Sequence, residues 1–215
     1  MLKICLTALF LIFALAESGI NTRDDLIKKS KAECFAKSQI RRVIMEALGE
    51  DGIINLNFFP SYLNLRNGGI HDIEAIVRTN DSIPIERTCW TLAHYLPVGF
   101  NGTVWLSVES NTRLWSLNIE DRIPFLENLT QTCTQHGLAV GIYSDVVSWR
   151  RVMGNQLAGS NKLRALPLLY FNENDARNFN DFSYSTFGGW NKPIQKEYKR
   201  GYYLCDFYCE GLVFY

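Results

Sequence analysis

The chain carries no excess charge of either sign: 22 Lys and Arg stand against 22 Asp and Glu in 215 residues. A balanced chain has no basic footprint for nucleic acid and no general attraction to an anionic surface. Histidine is scarce. His71, His94 and His136 lie far apart, without the spacing that metal ligands take, so neither a metal site nor a cofactor is expected. Beyond the first residues there is no long apolar run, whereas a membrane span needs about 20 such residues. Internal repeats and low-complexity tracts are absent too, which leaves the pattern of a single α/β domain.

What is present begins with a leader. Lys3 is followed by the apolar run Ile4 to Phe13 and by Ala14-Leu-Ala16, the order of a secretory signal peptide over residues 1–16. Secretion permits disulfides. Cys34, Cys89, Cys133, Cys205 and Cys209 follow the leader, an odd set that leaves at least one cysteine unpaired or joined to another chain. Three glycosylation triplets start at Asn80, Asn101 and Asn128.

The spacing of Leu26, Ile27, Ala36, Ile40, Val43, Ile44, Ala47 and Leu48 predicts helix from Asp24 to Leu48, so residues 17–52 read as an N-terminal helical region. Ile53 to Phe59 reads as a strand stopped by Pro60, and Ile70 to Thr79 as a short amphipathic helix. Residues 80–101 resist assignment. A helix from Ile119 to Gln135, a strand from Leu138 to Tyr143 and a helix from Val146 to Met153 capped by Ser144 or Asp145 follow. Ala165 to Phe171, Ile194 to Tyr198 and Gly211 to Tyr215 read as further strands, with an Asn- and Asp-rich surface loop over 172–185.

Chemistry concentrates in Gly102 to Ser110. Val104 to Val108 is a buried strand, and alternation puts Ser107 and Glu109 on one face at its C-terminal end. In an α/β barrel that end builds the active site. A carboxylate there suits a general acid, and a pair of carboxylates is the usual equipment for glycosidic cleavage. Here the second position is a serine.

From Ile53 onward the chain resembles the secreted animal branch of glycoside hydrolase family 25, the muramidase or lysozyme family. The pieces come in order: Asn55-Leu-Asn-Phe-Phe-Pro60 resembles a third barrel strand, and Val104-Trp-Leu-Ser-Val-Glu109 a strand that normally reads W-L-D-x-E. Val140-Gly-Ile-Tyr-Ser144 with Trp149 and Met153-Gly154, Pro167-Leu-Leu-Tyr170, Phe187-Gly-Gly-Trp-Asn-Lys-Pro193 and Ile194-Gln-Lys-Glu-Tyr198 complete the match.

The resemblance implies a modified (β/α) TIM-like barrel over 53–215. It also implies cleavage of the β-1,4 bond between N-acetylmuramic acid and N-acetylglucosamine, with bacterial peptidoglycan or another glycan as partner. The proton donor falls on Glu109, and the family's aspartate position on Ser107. Tyr143, Tyr170 and Glu197 are the expected sugar-binding residues, Glu197 standing where the family's K-Q-Y has glutamine. No first-strand aspartate is evident, and the barrel reads as incomplete at its N-terminus. Glu210 matches the last-strand aspartate only in a shifted register. Two functions are therefore expected: a secreted antibacterial lysozyme, or a non-catalytic descendant that binds glycan.

Overall fold

The computed structural model describes residues 18–23, 25–154, 160–184 and 186–215. The expected leader, residues 1–16, and Asp24 lie outside the described residues. Eight strands close into one barrel in chain order. They are β1 (Ser18–Thr22), β2 (Ile40–Leu48), β3 (Asp72–Arg78), β4 (Val104–Val108), β5 (Val140–Ser144), β6 (Leu168–Phe171), β7 (Gln195–Leu204) and β8 (Phe207–Phe214). Neighbours from β1 to β7 run parallel. β8 is antiparallel to both β7 and β1 and closes the ring. Helices α1 (Lys29–Lys37), α2 (Phe58–Asn67), α3 (Ile85–Tyr95), α4 (Ile119–Gln135) and α5 (Val146–Met153) follow the first five strands in turn.

Alternation along the strands divides the core in two. Val43, Met45, Ala75, Val77, Val104, Leu106, Ile142 and Leu168 face the helices in the larger apolar cluster. Ile44, Ile76, Trp105, Tyr143, Leu169 and Val213 form a smaller cluster that fills the barrel. Polar side chains join that interior. Glu74 accepts from Trp105 Nε1 at 2.7 Å and from Gln195 Nε2 at 2.9 Å. Burial pushes the Glu74 carboxyl up, against the nearby Arg42 charge that lowers it.

The barrel is complete, which corrects the expectation of a missing first strand. β1 begins at Ser18, and Ile20 pairs with Val43 on one side and Leu212 on the other. The helix expected over 24–48 is α1 and β2, divided at Ser38 and Gln39, where Gln39 turns left-handed with φ 63°. The helix expected over 70–79 is β3. Both errors share a cause: a strand buried on both faces loses the in-out alternation and reads as mixed spacing. The strand expected over 53–59 supplies only a bridge from Ile54 to Leu48 before α2 begins. Pro60 lies in the first turn of α2, where a missing N–H costs no helical bond.

Within 80–101, which the sequence left unassigned, α3 starts directly after Pro84. β4, α4, β5 and α5 fall where the sequence placed them, with Asp145 accepting from Val147 N and Ser148 N at the start of α5. The last two strands are longer than expected and form a hairpin. Its turn residues Cys205 and Asp206 both have positive φ, 57° and 51°. That is the type I′ arrangement, which matches strand twist.

Two disulfides fasten the shell. Cys34–Cys205 ties the hairpin tip to α1, and Cys89–Cys133 joins α3 to α4. Cys209 is the free cysteine among the described residues, and it is buried. Burial pushes its thiol up to about 12, and a disulfide to another chain would require the hairpin to leave the core. No helix among the described residues is long and apolar enough to cross a membrane.

Candidate active site

The C-terminal ends of the parallel strands open into a cavity lined by Glu46, Arg78, Glu109, Asp145 and Arg200, with Arg23 and Glu50 at its edge. Each side chain arrives from the inward face of its own strand or the loop just beyond. Ile44 and Glu46 share a face on β2, Ile76 and Arg78 on β3, and Trp105, Ser107 and Glu109 on and just past β4.

Arg78 sits at the centre. Its Nε donates to Glu46 Oε2 at 2.9 Å, its Nη1 to Glu109 Oε2, and its Nη2 to Glu210 Oε2 at 2.8 Å. Glu210 is drawn further by Arg23, whose Nε donates to Oε1 at 2.9 Å. Burial works against the Arg78 charge, but Glu109 and Glu210 outweigh it and push the guanidinium pKa up. The cation therefore remains charged at the point where three carboxylates converge.

One layer below, Glu197 is fully buried. It accepts from Asn21 Nδ2 at 2.8 Å, from the Tyr143 hydroxyl at 3.4 Å and from Arg200 Nε at 3.2 Å. Burial pushes its carboxyl up to about 7, with Asn21 and Arg200 restraining the rise. Arg200 also donates from Nη2 to the Tyr143 hydroxyl at 2.9 Å and lies over the Phe171 ring at 3.6 Å. Ser107 is buried, and neither its hydroxyl nor Asn21 Oδ1 has a hydrogen-bond partner among the described residues.

Of the expected sugar-binding residues, Tyr143 and Glu197 support the mouth from beneath and do not line it. Tyr170 points toward the helices, with its ring 5.0 Å from Phe182 and 6.2 Å from Phe187. Asn101 and Asn128 are exposed, whereas Asn80 is half-buried and donates to Glu50 O at 2.7 Å. Sequence reasoning missed Arg78, Glu46 and Asn21. Arg78 had a usable signal, an arginine closing an apolar strand that ends at the barrel mouth.

The family described as Lys-1, lysozyme-like protein 1, matches residues 16–198. The chain is 31% identical over 194 residues to "Probable GH family 25 lysozyme 5" of Dictyostelium discoideum, with 87% of each chain covered. The chain belongs to the lysozyme-like proteins of glycoside hydrolase family 25. Its barrel also superposes on a family GH25 lysozyme from Aspergillus fumigatus with TM-score 0.72 at 13% identity, over 93% of both chains. A muramidase from Trichobolus zukalii gives 0.71 at 15%, over 92% of both. These likenesses carry the fold, the TIM-like α/β barrel expected from the sequence. Within it, this family member has Asn21 on the first strand and Ser107 on the fourth.

Proposed function

We propose that this chain is a secreted lysozyme-like protein that engages bacterial peptidoglycan at the barrel mouth, in defence against or digestion of bacteria, with recognition outweighing hydrolysis. Family membership supports the substrate. The observation that carries the balance between binding and cleavage is the ion pair from Arg78 Nη1 to Glu109 Oε2. A general acid must present a proton to the leaving oxygen. Oε2 of Glu109 is instead engaged by a guanidinium, and Arg78 must release it before that oxygen can deliver a proton. The carboxylates Glu46 and Glu210 are bound to the same guanidinium, and Ser107, where the resemblance expects an aspartate, carries no charge to stabilise a developing cation.

The test compares the wild type with Glu109→Gln for fragment release from purified peptidoglycan and for retention on the insoluble wall, from acidic to neutral pH. Retention by both proteins with little release by either is the expected result. Rapid release that disappears in the variant would show a working lysozyme and overturn the priority given to binding. Absence of both retention and release in the folded wild type would remove peptidoglycan as the ligand. A second copy linked through Cys209 would show as a dimer on non-reducing electrophoresis, and the burial of that thiol argues for a monomer.

A further inference from the structure

The β7–β8 hairpin extends past the barrel mouth and has two unlike faces. Leu204, Phe207 and Cys209 turn toward α1, where Phe207 meets Phe35 edge-on at 5.7 Å. The opposite face presents Tyr203 and Tyr208, paired across the hairpin with ring centroids 5.4 Å apart. These rings are 70% and 39% exposed. The disulfide Cys34–Cys205 holds the tip from which they project.

The exposed face is continuous with the mouth. Tyr208 and Glu210 are two residues apart on β8 and so point the same way, about 7 Å from each other along the strand. Glu210 is bound to Arg78 inside the mouth and to Arg23 at its rim. The Arg23 charge also feels the Tyr208 hydroxyl. A row therefore leads outward from Arg78 through Glu210 and Arg23 to Tyr208 and Tyr203. An exposed pair of rings outside the core contributes little to folding. It offers apolar faces rimmed by hydroxyls, the amphipathic surface that suits a ligand with one apolar side and one wet side.

We propose that Tyr203 and Tyr208 form an outlying platform for a β-1,4-linked N-acetylated sugar chain, extending the grip of the mouth along the polymer. The proposal rests on the peptidoglycan reading above. Pyranose rings fit the description of such a ligand: their C–H faces lie on aromatic rings while their hydroxyl and acetamido edges reach Arg23 and water. A chain that fills the mouth and continues outward meets the platform next, so the platform should act only on chains long enough to reach it.

The test is calorimetric titration of the wild type and of the double variant Tyr203→Ala/Tyr208→Ala with β-1,4-linked N-acetylglucosamine oligomers of two lengths, a disaccharide and a hexasaccharide, as probes. Two aromatic contacts of ordinary strength correspond to about tenfold in affinity. The expected result is that the hexasaccharide binds the wild type about tenfold more tightly than the disaccharide. The double variant should lose that advantage and keep its disaccharide affinity. An undiminished length advantage in the variant, or none in the wild type, would overturn the platform alone. Hexasaccharide binding that depends on the tyrosines without any disaccharide binding would support the platform and overturn the mouth reading. Failure of both probes to bind the folded wild type would overturn both. A concentration-dependent dimer of the wild type, abolished in the double variant, would assign the face to a second copy and overturn the platform.

Discussion

The guanidinium of Arg78 donates through Nη1 to Oε2 of Glu109, the residue on which the sequence resemblance places the proton donor. The same guanidinium serves Glu46 and Glu210, so one cation is shared by three carboxylates, from β2, the end of β4 and β8. Arg78→Gln leaves those charges facing one another in a partly buried mouth. Breaking a buried ion pair from one side costs about 3–5 kcal/mol. Urea unfolding should show a loss of that order at low ionic strength and a smaller one at about 1 M salt, where repulsion among the remaining carboxylates is screened. Equal losses at both salt concentrations would mean that Arg78 acts through packing and not through charge.

Ser107, on which the sequence resemblance places the D-x-E aspartate, pairs in register with Arg78 on β3. Its hydroxyl has no partner among the described residues, so a carboxylate can enter without displacing an existing hydrogen bond. Ser107→Asp gives Arg78 a competing acceptor and weakens its hold on Glu109. Fragment release from peptidoglycan is expected to rise by about tenfold or more, within the range that a positioned acid supplies. Adding Glu109→Gln should cancel the gain. A folded Ser107→Asp variant with unchanged release would show that the missing aspartate is not what limits cleavage.

How far the sequence could foresee this site follows from the side chains. β4 and β5 were legible because each is a short apolar run bounded by turns, with α4 showing an unbroken buried stripe between them. Ser107 and Glu109 were legible because alternation on a strand is a geometric rule. β2 and β3 were not, because Val43, Ile44, Met45 and Ala75, Ile76, Val77 are buried on successive positions and erase that alternation. β1 was hidden by its brevity and its place directly behind the apolar run Ile4 to Phe13 and the residues read as a leader. With β1 misread, Asn21 could not be placed beside Glu197. With β3 read as helix, Arg78 could not be placed between Glu46 and Glu109. The ion pairs that define the mouth arise from long-range register, which local pattern does not encode.

Glu197 makes stability depend on pH in a particular direction. Its carboxyl is pushed up to about 7 in the folded chain, from an ordinary value of 4.5. Between those values the folded state holds a proton that the unfolded state releases, so stability falls as pH rises and the loss is complete above about 7. The whole effect is about 3 kcal/mol. Glu197→Gln removes it while keeping an acceptor for Arg200, and the new amide can donate to Asn21 Oδ1, which has no partner among the described residues. The variant should therefore be more stable than the wild type at pH 8, with the difference vanishing near pH 4. Equal stability at pH 8, or a variant that is weaker there, would mean that the Arg200 and Asn21 contacts already offset the burial of the charge.

The two disulfides separate stability from function because they sit at different distances from the mouth. Cys34–Cys205 closes 171 residues and Cys89–Cys133 closes 44. Loop-closure entropy ranks their contributions at about 5 and 4 kcal/mol, upper values that assume an unstrained native state. Opening either bond with a pair of alanines should lower the unfolding midpoint by comparable amounts. The consequences for the glycan should differ. Cys34–Cys205 anchors the hairpin that carries Arg200, Glu210, Tyr203 and Tyr208, whereas Cys89–Cys133 joins α3 and α4 on the barrel's flank. At a temperature where both variants are folded, Cys34→Ala/Cys205→Ala should bind the insoluble wall more weakly, and Cys89→Ala/Cys133→Ala should bind it as the wild type does. Equal binding by the two variants would mean that packing of Phe207 on Phe35 holds the hairpin in place without the bond.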